Sequence, residues 1–126
     1  MDIEKMFDFL VKDYRLNYKF QKFNNCFNGN WYVETFSYYN ASGCFTIHNL
    51  CQRGEIDCYY AKSISCIREN LLEKRLNVRS IGIDIWNKES KRFRFDYRQK
   101  LIMDTLVKAI KYEINKKHEF FGIRID

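Results

Sequence analysis

Residues 27–60 read FNGNWYVETFSYYNASGCFTIHNLCQRGEIDCYY, and nine of these thirty-four residues are aromatic, set on period-two runs broken by glycine turns. Strict alternation is the mark of a strand, because successive side chains point to opposite faces of a sheet. The first run spans Trp31 to Tyr39, with Trp31, Val33 and Thr35 on one face and Tyr32, Glu34, Phe36 and Tyr38 on the other. Asn40-Ala41-Ser42-Gly43 forms a hairpin loop into a strand from Cys44 to Leu50. Gln52-Arg53-Gly54 forms the next, into Glu55 to Ala61. Loops this short join antiparallel neighbours, so these strands form a meander.

Outward from the meander, Leu16, Tyr18 and Phe20 alternate with Asn17, Lys19 and Gln21, a fourth strand that ends in the Asn24-to-Asn30 cluster. Before it, Ile3, Met6, Phe7, Leu10, Val11 and Tyr14 recur at three- and four-residue spacing, the apolar stripe of a helix over about Ile3 to Asp13. After the meander, Ser63 or Ser65 caps a helix striped by Ile64, Ile67, Leu71 and Leu72, with Arg68, Glu69, Glu73 and Lys74 in water. Ile81, Ile83 and Ile85 read as a short strand or an extended connector. A final helix, about Tyr97 to Lys117, carries Met103, Leu106, Val107, Ile110 and Ile114 on one side. The fold class expected is α+β: an N-terminal helix, an antiparallel β-meander of about four strands, then two further helices packed on the sheet. Phe45, Ile47, Ile56, Cys58 and Tyr60 are expected on the helix-covered face.

A chain of 126 residues, 46% hydrophobic and 30% charged, fits one domain spanning 1–126 with enough apolar surface to fold throughout. It contains no proline, so its turns fall on Asn28-Gly29, Ser42-Gly43 and Arg53-Gly54. The opening Met1-Asp2-Ile3-Glu4 has no basic segment followed by an apolar core, and no window approaches the roughly 20 apolar residues of a membrane span. A cytoplasmic protein with no membrane partner is expected. Cys26, Cys44, Cys51, Cys58 and Cys66 are odd in number and lack a Cys-x-x-Cys pair, which reads as reduced, mostly buried thiols, with no metal and no cofactor.

Net charge is +6, but unevenly spread. Residues 1–61 carry six Lys/Arg against seven Asp/Glu, whereas residues 62–126 carry sixteen against nine. Such a lopsided field steers an oppositely charged partner, either nucleic acid or an acidic protein face.

With helices over one face of the sheet, the other is expected to expose Tyr32, Phe36 and Tyr38 around Glu34, joined by His48 and Tyr59, with Glu55 and Asp57 adding charge. Aromatics with a polar tip and few rotatable bonds anchor protein interfaces, so these eight residues are the candidate partner-binding set; the alternative is that the last helix or the Ile81-to-Ile85 segment folds across and buries this face, since large aromatics are usually core. His48 with Glu34, Glu55 and Asp57 is the one acid-base combination, and no motif sets a serine or cysteine nucleophile beside it; no catalytic residue is assigned. His118 at the end of the last helix is favourable there by dipole alone. The run Lys91 to Lys100 interleaves Arg92, Arg94, Arg98 and Lys100 with Phe93, Phe95 and Tyr97, a composition that neutralises phosphates and stacks bases. As a strand it would separate arginines from aromatics, and it forms the alternative, nucleic-acid-binding set.

The segments Asn24-Asn25-Cys26-Phe27-Asn28-Gly29-Asn30-Trp31, Tyr38-Tyr39-Asn40-Ala41-Ser42-Gly43-Cys44-Phe45-Thr46-Ile47 and Gln52-Arg53-Gly54-Glu55-Ile56-Asp57-Cys58-Tyr59-Tyr60, with Asp84-Ile85-Trp86-Asn87-Lys88 and the final helix, resemble small cytoplasmic immunity-type proteins of bacterial polymorphic toxin systems. The resemblance implies a non-enzymatic protein that binds a cognate toxin's C-terminal effector domain and blocks its active site or substrate access; a monomer or weak homodimer is expected of the free chain. One departure matters. Inhibitors of nucleases in such families are commonly acidic, and this chain is basic, so either the toxin is not a basic nuclease or the contact uses the acidic first half.

Overall fold

The computed structural model describes residues 2–26, 31–50, 55–64, 74–76 and 95–125. Two helical turns, α1 (Ile3–Met6) and α2 (Phe9–Lys12), precede strands β1 (Asn17–Cys26), β2 (Trp31–Asn40), β3 (Gly43–Leu50), β4 (Glu55–Ala61) and β5 (Lys74–Leu76). Helix α3 (Phe95–Lys117) and a small hairpin, β6 (Glu119–Phe120) and β7 (Ile123–Arg124), follow. The first five strands pair antiparallel in the order β1-β2-β3-β4-β5, an α+β arrangement with a helix after the sheet.

The N-terminal helix expected over Ile3 to Asp13 is two turns with a break. Asp2 caps the first, its Oδ1 accepting from Lys5 N at 3.1 Å. At the break, Asp8 N bonds Lys5 O and Leu10 N bonds Phe7 O, three-residue closures that tighten the backbone. The break carries Phe7 into the core, where its ring meets Tyr38 at 6.1 Å and Phe45 at 5.9 Å. Ile3, Phe7 and Leu10 are all buried.

Cross-strand partners in an antiparallel sheet share a face, so the register identifies which residues the helices cover. Phe36 pairs with Ile47 and Ile47 with Cys58; Tyr38 pairs with Phe45 and Phe45 with Tyr60. Over this face lie Met103, Leu106, Ile110 and Ile114 of α3, together with Phe120, Ile123 and Ile125. Phe36 and Tyr38 therefore belong to the core, at 8% and 1% exposure, and not to an open aromatic face as expected. A hairpin that pairs Tyr39 with Cys44 necessarily sets Tyr38 beside Phe45. The division of β3 and β4 expected from the sequence does match the register, with Phe45, Ile47, Ile56, Cys58 and Tyr60 together.

The opposite face carries several small polar residues. Thr35, Ser37 and Thr46 are buried, with Ser37 Oγ 2.8 Å from Thr46 Oγ1 and Thr35 Oγ1 donating to Gln21 O at 3.2 Å. Buried Cys44 lies on this face, 3.5 Å from Thr46 Oγ1, and packs with Ala61, Tyr39 and Ile64. Hydroxyls bonded across strands or to backbone carry little burial cost.

Two elements were not anticipated. Lys74, expected on the wet side of a helix, lies in β5, where Lys74–Leu76 extend the meander by pairing with Tyr60, Tyr59 and Cys58. The β6–β7 hairpin turns through Phe121 (φ 47°) and Gly122 (φ 80°), both left-handed, as a two-residue turn between right-twisted strands requires. It locks onto the β2–β3 turn: Asn40 Nδ2 donates to Arg124 O and Arg124 N donates to Ser42 Oγ, each at 2.8 Å. Gly43 allows that approach, since a β-carbon there would lie 3.2 Å from Ile123 Cγ1 and 3.3 Å from Ala61 O. Of the helix expected to be capped by Ser63 or Ser65 and striped by Ile64, Ile67, Leu71 and Leu72, residues 65–73 lie outside the described residues, as do the Ile81-to-Ile85 segment, Cys51 and Cys66.

Truncating Phe45 removes the ring on which both ends of the chain pack. Phe45→Ala should lower unfolding free energy by about 3–5 kcal/mol in urea denaturation. Tyr112→Ala, at a site 61% exposed, should change it by no more than about 0.5 kcal/mol.

Candidate protein-contact cleft

β1 is the first strand of the sheet order, bonded among the described residues on one side only, to β2. That edge position leaves Phe20 45% exposed although its ring points to the helix side, standing edge-on to Phe36 at 5.3 Å and 62°. The start of α1 lies across the same end of the sheet. Between them opens a cleft of about 410 Å³ lined by Asp2, Ile3, Glu4, Phe20, Glu34, Phe36 and Asn49. Its walls are two phenyl rings and an isoleucine, and its rim holds three carboxylates.

Each carboxylate is oriented by a neighbour. Asp2 is held by its cap bond to Lys5 N, and Glu4 Oε2 accepts from Tyr18 Oη at 2.8 Å. Glu34 Oε1 accepts a long bond from Asn49 Nδ2 at 3.4 Å, its cross-strand partner on β3, while Lys22 stands opposite on β1. Burial, followed by the bond to Glu4, pushes the Tyr18 hydroxyl well above the usual tyrosine range. Tyr38, beside it at 5.2 Å between ring centres, is raised likewise by burial and then by the proximity of Tyr18 and Glu4. Its hydroxyl is buried with no hydrogen-bond partner.

The candidate residues read from the sequence divide between two faces. Glu34 and Phe36 line the cleft, and Tyr38 is sealed beneath α1. His48 is half-buried on the opposite face, where the backbone register sets Asp57 across from it and Tyr59 across from Thr46. Glu55 pairs with Leu50, and Tyr32 lies in β2. The eight residues thus do not form one surface. Of the nucleic-acid set, Arg98 and Lys100 lie in the first turns of α3, inside the final helix expected from about Tyr97; Arg92 and Arg94 lie outside the described residues.

Asp2, Glu4, Phe20 and Asn49 were missed. Phe20 was legible as a strand residue, but its exposure depends on β1 being an edge, which requires the topology. Among the described residues, no group of three His, Cys, Asp or Glu side chains is placed to hold a metal ion, so the carboxylates of the cleft are spread too widely for chelation. No described helix is long and apolar enough to cross a membrane. No family model, curated protein or solved structure matches the chain.

Two tyrosine hydroxyls held protonated in the fold make stability sensitive to alkali. Both ionise in the unfolded chain near pH 10, below their folded values, so their contribution is complete below about pH 10 and is lost as pH rises beyond it. Urea melts should therefore weaken between pH 9 and pH 11, and less so in the Tyr18→Phe/Tyr38→Phe double variant; equal losses in both proteins would contradict the assignment.

Proposed function

We propose that this chain is a cytoplasmic immunity-type protein that binds a cognate toxin effector domain and blocks it without catalysis of its own. The observation that carries this reading is Phe20, an exposed aromatic ring set against Phe36 and ringed by Asp2, Glu4 and Glu34. An aromatic anchor in a partly walled cleft is the kind of feature that dominates binding energy at protein interfaces. Oriented carboxylates around it supply charge complementarity to a basic partner.

This placement also reconciles the resemblance with the charge of the chain. The overall +6 would repel a basic toxin, but the cleft draws its acids from the acidic first half, residues 1–61. The cationic second half is then left to face away from the contact or to meet acidic parts of the partner. Inhibition follows from occlusion, since a domain seated on α1, β1 and β2 presents its own surface to this chain instead of to substrate.

The test is co-expression with the effector domain encoded in a neighbouring reading frame. The chain should rescue growth and co-purify one-to-one, and Phe20→Ala or Glu34→Gln should weaken the complex at least about tenfold, roughly 1.4 kcal/mol, with melting temperature within a few degrees of wild type. Unchanged affinity in both variants would overturn the contact assignment. Salt-sensitive binding to single-stranded RNA that vanishes on replacing Arg92, Arg94 and Arg98 by alanine, with no effect of the toxin domain on growth, would establish the nucleic-acid role instead.

A further inference from the structure

The cleft is selective in shape as well as in charge. Phe20 and Phe36 meet at 62°, so they form a corner and not a flat floor, and a planar group can lie along one ring while its edge meets the other. Asp2 and Glu4 reach the cleft from α1, and Glu34 approaches from β2, so the acids border the aromatic corner from two sides. A carboxylate offers about four acceptor positions. One oxygen of Asp2 is engaged by Lys5 N and one of Glu4 by Tyr18 Oη, which leaves each able to accept from an incoming donor.

The position of Glu4 is supported from beneath. Beneath the N-terminal segment lies Tyr38, 1% exposed, whose hydroxyl has no hydrogen-bond partner among the described residues. Its ring packs against Tyr18, whose hydroxyl donates to Glu4.

Resting on the reading of this cleft as the toxin-docking surface, we infer that it receives the guanidinium of an arginine side chain from the partner protein. Guanidinium is planar, stacks on aromatic faces, and presents five donors in a fork that suits carboxylates. An ammonium group is a compact, strongly hydrated point charge that gains less from a ring wall. A metal ion is disfavoured by the spread of the acids. Glu34 meets one edge of the incoming guanidinium, while Asp2 and Glu4 meet the other.

The test needs no toxin. The full chain is titrated with N-acetyl-arginine methylamide, and with its citrulline and lysine counterparts, while the Phe20 ring and the Asn49 side-chain amide are followed by NMR. The arginine compound should bind saturably with a dissociation constant on the order of 1 mM, and the neutral citrulline compound at least about tenfold more weakly. Glu4→Gln/Glu34→Gln should reduce arginine affinity about tenfold while leaving the backbone spectrum otherwise intact. Equal binding of arginine and citrulline, or no saturable shift, overturns the inference. If the arginine compound binds as described but no toxin domain co-purifies, the inference stands and the inhibitor reading falls. If a toxin domain co-purifies and the arginine compound does not bind, the inhibitor reading stands and the arginine pocket falls.

Discussion

Phe45 is where the two ends of this chain meet. Its ring, fully buried on the middle strand of the sheet, lies 5.9 Å from Phe7 of the N-terminal segment and 6.0 and 5.8 Å from Phe120 and Phe121 of the C-terminal hairpin. Isolated helical turns of four residues do not persist in water, and a two-residue hairpin has almost no stability of its own. Both exist here because they close over one aromatic residue. The cation–π contact of Lys111 with Phe9, at 4.7 Å, then joins the N-terminal segment to α3.

This anchoring has a functional consequence at the opposite end of α1. Because Phe7 and Ile3 are drawn into the core, the cap residue Asp2 and the first-turn Glu4 are held at the edge of the sheet over Phe20 and Phe36. The break between α1 and α2 therefore sets the position of the acids. An unbroken helix striped as the sequence suggests would carry its apolar face differently across the sheet, and the cleft would have other walls. Packing thus comes first, and the acid-aromatic cleft follows from it.

Much of the architecture was legible in the residues. β2, β3 and β4 announce themselves by alternation and by turns that only Asn, Ser and Gly can make, and the apolar stripe of α3 fits its observed span closely. The face assignment failed at β2, where aromatic residues at Phe36 and Tyr38 invite the idea of an exposed binding surface. Parity across the Ala41-Ser42 turn decides the matter, since Asn40 opposite Gly43 puts Tyr38 on the side of Phe45. β5 and the terminal hairpin were not legible because their strands span three and two residues, too few for any period to show. Asp2 and Glu4 become site residues only through contacts distant in sequence, which no local pattern encodes.

The account rests on the cleft between α1 and the β1 edge being the surface that a partner covers. Carboxyl footprinting with a carbodiimide and an amine, applied to the chain alone and in complex with its effector domain, measures this directly. Asp2, Glu4 and Glu34 should lose labelling in the complex while exposed Asp13 and Glu119 keep theirs. Unchanged labelling at the three cleft residues, with protection appearing at Glu119, would contradict it.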